Sequence, residues 1–189
     1  MSARPTKTVA STRVEMSEVM TPGHANFLGK VFGGSILSLL DLCAYTTASR
    51  FAENVCVTAS FDRVDFHEPI EVGEFVTFVG TVTYAGRTSV EVTIEVFAED
   101  ILRRTRRHTN TARVTMVALK DNRPCPVPGL AFESPAEKVK FLEGRLRREL
   151  RAAHSTEFDS LAQMFREADE ATLDRLMSEP SLVGAKQVL

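Results

Sequence analysis

The chain has 189 residues, 43% of them hydrophobic and 25% charged, enough apolar material for one globular domain with a full core and an appendage. A net charge of -2 with a pI near 6.1 gives no overall basic field, which argues against nucleic acid and anionic membrane as main partners and makes any anion site a local one. Three cysteines scattered through the sequence, Cys43, Cys56 and Cys125, form no metal-like or redox pair and predict reduced thiols in the cytoplasm, while no window approaches the roughly 18 consecutive apolar residues of a membrane span.

In chain order, residues 1–11 lack the apolar core of a secretory signal and read as a flexible N-terminus. The run TRVEMSEVM, ending at the turn pair Pro22 and Gly23, predicts a short first strand. A loop over residues 23–32 leads into a long helix over residues 33–51. Beyond it Val55, Val57, Ala59 and Phe61 alternate with polar residues, but by Val64 and Phe66 the apolar face has moved to even-numbered positions. A change of phase by one residue is what a β-bulge produces. After the turn at Pro69 and Gly73, the next strand places Val76, Phe78, Val82 and Tyr84 on one face. Ala85, Gly86 and Arg87 link it to a strand with Val90, Val92, Ile94 and Val96 inward and Ser89, Glu91, Thr93 and Glu95 towards water. A charged link with Arg103, Arg104, Arg106 and Arg107 precedes a last strand carrying Ala112, Val114, Met116 and Ala118 on one face. An antiparallel sheet with one apolar face needs something to wrap round, and the single long helix is the one segment apolar enough to fill it.

The folded domain therefore spans residues 12–120. Residues 121–133, with Pro124, Pro126, Pro128 and Gly129, read as a proline-rich linker, and residues 134–189 as a C-terminal helical extension. Ser134, Pro135 and Glu137 make a capping box with proline at the first helical position. Val139, Leu142, Leu146 and Leu150 form a stripe on that helix, and Phe158, Leu161 and Phe165 begin another on a second helix ending near Met177. Stripes this narrow serve packing on the domain or on another subunit, not an independent core.

The long helix holds the main clue to function. Between Gly34 and Arg50 its one charge is Asp41. A helix apolar on every face is a buried helix, and an ionised carboxylate inside one is costly unless it is partnered or used.

One helix followed by four strands and preceded by a short one, with Asn26, Gly29, Gly33, Gly34 and Asp41 spaced as in NFLGKVFGGSILSLLD, resembles the acyl-CoA thioesterases of the hotdog fold, in the group of the YciA-type and cytosolic long-chain acyl-CoA hydrolases. Phe66, Pro69 and Gly73 match the family's strand end and turn. The resemblance covers residues 14–119 and implies an α+β hotdog fold, with the sheet wrapped round the central helix. It also implies hydrolysis of acyl-CoA to fatty acid and coenzyme A with no metal or cofactor. Asp41 is then a general base, or a nucleophile forming a mixed anhydride; alone, it reads equally as a structural carboxylate. Asn26 satisfies its own loop, or lends its amide to water or to the thioester carbonyl. Gly33 and Gly34 allow a close turn, or leave helix-start N–H groups free as an oxyanion site. The resemblance further assigns Arg87, Thr88 and Ser89, at a hairpin mouth, to the phosphates and pantetheine of coenzyme A. Arg103, Arg104, Arg106 and Arg107 read as a solvated overhang or as a contact to the 3′-phosphate from a neighbouring subunit. Tyr45 is a candidate support for Asp41. His24 and His67 lack metal-ligand spacing.

Asp41 lies seven residues beyond Gly34, about 10 Å along one helix, whereas base, water and carbonyl must meet within about 3 Å. This predicts a homodimer with two central helices antiparallel, each bringing Asp41 to the other's Asn26 and Gly34; by resemblance the dimers assemble to a hexamer. Two rivals remain. A hotdog hydratase or dehydratase would depend on a histidine, for which His24 is the candidate near the helix. A non-catalytic acyl-CoA sensor would bind without releasing thiol.

Overall fold

A computed structural model of the protein describes residues 4–62, 64, 66, 68–179 and 181–182. The alternating runs become strands, as a period of two requires. Strands β1 (Thr6–Thr8) and β2 (Val14–Val19) precede helix α1 (Gly33–Ala52). Strands β3 (Val55–Phe61), β4 (Phe75–Ala85), β5 (Ser89–Asp100) and β6 (Thr105–Lys120) follow, then the short β7 (Arg123–Pro124) and β8 (Gly129–Ala131), and helices α2 (Pro135–Glu167) and α3 (Glu170–Met177). The chain divides into two compact units, Met1–Gly144 and Arg145–Leu189, with α2 running through the boundary.

In the first unit the main sheet has the order β2-β4-β5-β6-β3, with β7 paired to β6 and every pairing antiparallel. Its inner face carries Val76, Phe78 and Val82 on β4, Val90 to Val96 in alternation on β5, and Ala112 to Ala118 in alternation on β6, all buried; Tyr84, expected beside Val82, falls on the opposite face because the register with β5 slips between Val82 and Tyr84 and pairs it with Glu91. Against them pack Ile36, Leu40, Cys43, Ala44, Ala48 and Phe51 of α1 in one continuous core. The sheet wrapped round a long helix is thus present. Helix and sheet approach closely at Gly80, where a Cβ would collide with Thr47 Oγ1 and stand 3.0 Å from Cys43 Sγ. Thr47 buries its hydroxyl without penalty by donating to the Cys43 carbonyl at 2.7 Å. Burial pushes the Cys43 thiol up to about 11, which keeps it protonated and inert.

The structure departs from the sequence pattern in several places. Helix α1 is covered on one side only: Leu37, Leu42 (49% exposed) and Tyr45 (43%) face outwards, so the expectation of a helix buried all round fails for a single subunit. On the edge strand β3 it is Cys56 that enters the core while Val55 and Val57 are exposed, the reverse of the alternation read from the sequence. The phase change is present as a bulge, where the register with β6 slips between Thr58 and Ser60. Glu91, expected in water, is 2% exposed. It lies on the sheet face over which the start of α2 is laid, the Phe141 ring 5.1 Å from that of Tyr84, and its Oε1 accepts from Thr83 Oγ1 at 3.0 Å.

Two stretches read as a flexible terminus and a linker contain β1 and β8, which pair in parallel through Thr6 and Gly129, Lys7 and Leu130, and Thr8 and Ala131. The extension differs too: no Gly or Pro lies between Leu150 and Phe158, and both stripes ride on the single α2. The break comes after Glu167, where Asp169 caps α3 by accepting the Thr172 N–H at 2.9 Å. The capping box at the start of α2 is real but shifted, since Ser134 Oγ accepts from Glu137 N–H while the Glu137 carboxylate takes the N–H of Glu133. No helix of the described residues is long and apolar enough to cross a membrane.

Filling the close approach should cost stability. Gly80→Ala is expected to lower the unfolding free energy by about 1–3 kcal/mol through overpacking, read from equilibrium urea denaturation; an unchanged midpoint would show that α1 does not depend on this contact.

Candidate active site

The loop before α1 is a tight reversal. Ala25 and Val31 form a bridge, Asn26 N–H donates to Lys30 C=O at 2.7 Å, Gly29 N–H donates to Asn26 C=O at 3.0 Å, and Gly29 takes the left-handed conformation at φ 76°. The Asn26 side chain stitches this loop together, its Oδ1 accepting the N–H of Leu28 at 2.8 Å and of Lys30 at 3.2 Å. That requirement for an acceptor fixes the orientation of the amide. The Nδ2 group is left as a donor with no partner among the described residues. The loop reading of Asn26 therefore holds: it satisfies its own loop, and its Nδ2 group points away from those bonds as a spare donor.

Helix α1 starts without a side-chain cap. Ser35 and Ile36 donate back to the Phe32 carbonyl at 2.9 and 3.4 Å, while the N–H groups of Gly33 and Gly34 find no backbone acceptor among the described residues. A free pair of N–H groups at the positive end of a helix is an anion-binding feature. A Cβ at Gly34 would meet only the exposed Phe32 ring, which can move aside, and Gly33 has ordinary space, with Phe66 Cζ at 3.6 Å.

Asp41 lies two turns further along α1 and is half-buried, not buried as expected. The partner that sequence reasoning missed is Thr58 on β3, whose hydroxyl donates to Asp41 Oδ1 at 2.5 Å. Thr58 Oγ1 also lies 3.3 Å from Met116 Sδ, but its one proton goes to the stronger acceptor, the carboxylate. Asp41 Oδ2 has no partner among the described residues. A carboxylate with one oxygen held and the other open can take a proton from water. The signal for Thr58 was slight, a hydroxyl in a run where Thr and Ser alternate with apolar residues.

The remaining candidates lie apart from this cluster or serve structure. The turn holding Arg87, Thr88 and Ser89 is closed by Gly86 N–H to Ser89 C=O at 2.8 Å, and its backbone is anchored by Val127 N–H to Arg87 C=O and Ala118 N–H to Thr88 C=O, each at 3.0 Å. The exposed Arg87 side chain has no partner among the described residues. His24 Nδ1 accepts the Thr21 N–H at 3.1 Å, and its Nε2 is 3.6 Å from Glu18. Tyr45 is exposed, and His67 lies outside the described residues. Of the arginines near the β5–β6 hairpin, Arg103 pairs with Asp100 at 3.6 Å and Arg106 lies 4.4 Å over the Phe97 ring.

Arg107 has a larger structural task. Its guanidinium donates to Glu74 at 2.5 and 2.9 Å, to the Pro69 carbonyl at 2.7 Å and to Glu68 at 2.9 Å. Glu74 in turn accepts the N–H of Glu71 at 2.9 Å. Ile70 C=O accepts from Val31 N–H at 3.0 Å, and Lys30 pairs with Glu71 at 2.5 Å. The segment after β3 is thereby tied both to β6 and to the loop that precedes α1.

Comparison with known proteins places the chain among relatives. The thioesterase superfamily profile matches residues 28–105. "Protein VdlD" of Helicobacter pylori is 40% identical over 141 residues, which are 75% of this chain and 80% of that protein. The acyl-CoA hydrolase of Staphylococcus aureus, solved in complex with butyryl coenzyme A and coenzyme A, is 30% identical with a TM-score of 0.75, covering 86% of this chain and 99% of that one. Variants of that enzyme with an asparagine, an aspartate or a threonine changed to alanine have also been solved. An apo-hexameric acyl-CoA thioesterase is 34% identical with a TM-score of 0.76, covering 80% of this chain and 97% of that one.

The Arg107 network sets an acid limit on stability. Hydrogen bonds from Arg107 hold the Glu74 carboxyl below the usual carboxylate range, against the opposite pull of burial. A carboxyl lowered on folding stabilises the protein above its unfolded value of about 4.3, and that stabilisation is lost as pH falls through the lower folded value. The urea midpoint should therefore drop on the acid side, and drop less steeply in Glu74→Gln; parallel pH curves for the two proteins would contradict this.

Proposed function

We propose that this chain, which belongs to the acyl-CoA hydrolases of the thioesterase superfamily, hydrolyses acyl-CoA to a free fatty acid and coenzyme A by attack of water at a site shared between two copies of the chain. The observation that carries the reading is the Asp41 carboxylate, one oxygen held by Thr58 and the other open. Asp41 removes a proton from water as the oxygen adds to the thioester carbonyl carbon. Negative charge then gathers on the former carbonyl oxygen, where the N–H groups of Gly33 and Gly34 and the Asn26 amide donate to it. Collapse breaks the carbon–sulfur bond, and the thiolate of coenzyme A takes up a proton. The reaction needs water alone, with no metal or cofactor.

The sharing of the site follows from distance. About 10 Å of helix separates Gly34 from Asp41, so the donors and the base of one reaction come from different subunits. The bare side of α1 supports this: Leu37, Leu42 and Tyr45, with Phe27 and Phe32 of the preceding loop and Val57 on the edge strand, are exposed apolar groups of the kind an oligomer covers. A second α1, antiparallel, would cover them and bring each Asp41 to the other's loop. Assembly of such dimers into a hexamer, the state named for one solved relative, is part of the proposal.

Spacing lends further support. The asparagine, aspartate and threonine replaced in the Staphylococcus aureus variants are fifteen and then seventeen residues apart, the intervals that separate Asn26, Asp41 and Thr58 in this chain. Arg87, with Thr88 and Ser89 beside it, is proposed to meet the phosphates and pantetheine of coenzyme A, an arginine being suited to phosphate. A hydratase centred on His24 is disfavoured, because the ring is committed to Thr21 and Glu18.

In a thiol-release assay, Asp41→Asn is expected to fold normally and lose about 10²–10⁴-fold in kcat, and Asn26→Ala about 10²–10³-fold. Thr58→Val, which leaves Asp41 present but unheld, should lose about tenfold. Near wild-type turnover by Asp41→Asn would remove the assignment of the base.

A further inference from the structure

Between the start of α1 and the segment after β3 lies a cavity of about 290 Å³. Its lining is Val31, Gly33 and Ile36 from around the start of α1 and Phe66, the half-exposed Glu68, Pro69 and Ile70 from the segment after β3. Val31 N–H and Ile70 C=O are bonded to each other, and the Pro69 carbonyl accepts from Arg107. Apart from the Gly33 N–H and the Glu68 carboxylate, which Arg107 already engages, the lining is of apolar side chains, and it suits an alkyl chain better than the amides of a pantetheine arm.

The Pro69–Ile70 wall has no strand or helix of its own, so its position depends on what holds it. Arg107 on β6 does this directly through the Pro69 carbonyl and Glu68, and indirectly through Glu74, which fixes the Glu71 N–H. We propose that this cavity takes the part of the acyl chain next to the thioester, and that Arg107 is a positioning residue that sets its width by holding the Pro69–Ile70 wall against α1. The inference rests on the reading that the thioester carbonyl is held at the Gly33 end of α1. Arg107 touches no reacting atom and acts only through the wall.

The test is a series of acyl-CoA substrates, from acetyl to palmitoyl and including isobutyryl, hydrolysed by wild type, Ile70→Ala, Arg107→Lys and Arg107→Met. The quantity read is the ratio of kcat/KM between substrates within each protein. A merely structural role lowers every rate alike, because the folded fraction cancels from that ratio. Widening the wall with Ile70→Ala should raise the isobutyryl-to-butyryl ratio about tenfold, the scale of a methylene fitted or excluded by an apolar pocket. Arg107→Met should shift the ratios in the same sense, and Arg107→Lys, which keeps a charge for Glu74, should fall between it and wild type. Ratios within about twofold of wild type in Ile70→Ala and Arg107→Met alike would overturn the inference. A wild-type protein that releases no thiol from any substrate would overturn the parent reading instead, so the two failures are distinct.

Discussion

The packing of α1 into the concave face of the sheet constrains the rest of the molecule, because it uses one side of the helix and leaves the other bare. The used side needs Gly80 opposite Cys43 and Thr47 so that the two backbones can approach. The bare side carries Leu37, Leu42 and Tyr45, with Asp41 at the boundary between them and the core. The carboxylate is therefore neither sealed in a core, where its charge would be prohibitive, nor free on the surface. It is held from the neighbouring edge strand by Thr58 and opens towards whatever covers the bare face. Geometry and charge thus point to the same place, the uncovered side of α1 beside β3.

Regular elements and a few well-placed side chains share the work of holding the site. Gly33 and Gly34 gain their free N–H groups from the start of a long helix, and Thr58 owes its aim to an edge strand that bulges at the following residue, a usual way for a sheet to redirect a side chain. The two irregular segments are braced instead by polar groups. Asn26 spends its carbonyl oxygen on its own loop, and Arg107 ties the stretch after β3 to β6 and, through the Ile70 carbonyl, to the residue before Phe32. Segments without secondary structure can still be held to the tolerance that catalysis needs when each backbone polar group has a fixed partner.

The sheet was legible because β4, β5 and β6 alternate with a period of two on a face that one helix covers, and the physical rule has no competitor there. Where covering elements were invisible in the sequence, the pattern misled. Glu91 alternates as a solvent-facing residue should, yet α2 lies over that face; Val55 and Val57 alternate as core residues should, yet β3 is an edge. The apolar side chains of α1 likewise made it look wholly buried, yet Leu37, Leu42 and Tyr45 are exposed. Asp41 and the paired glycines stood out because each is awkward in its setting, a charge in an apolar helix or glycine at a helix start, whereas Asn26 is at ease in a loop and stood out through the resemblance alone. Thr58 did not, because a threonine on a strand conflicts with nothing.

Sharing of the site is tested most directly by mixing two inactive chains, one carrying Asp41→Asn and the other Asn26→Ala, under conditions that let subunits reassort. If base and donor come from different subunits, half of the reassorted dimers contain one intact site and one doubly altered site, and the mixture should recover to about a quarter of the wild-type rate. A mixture no more active than its two parents, with reassortment verified by differently tagged chains, would contradict the shared site and return both groups to a single subunit.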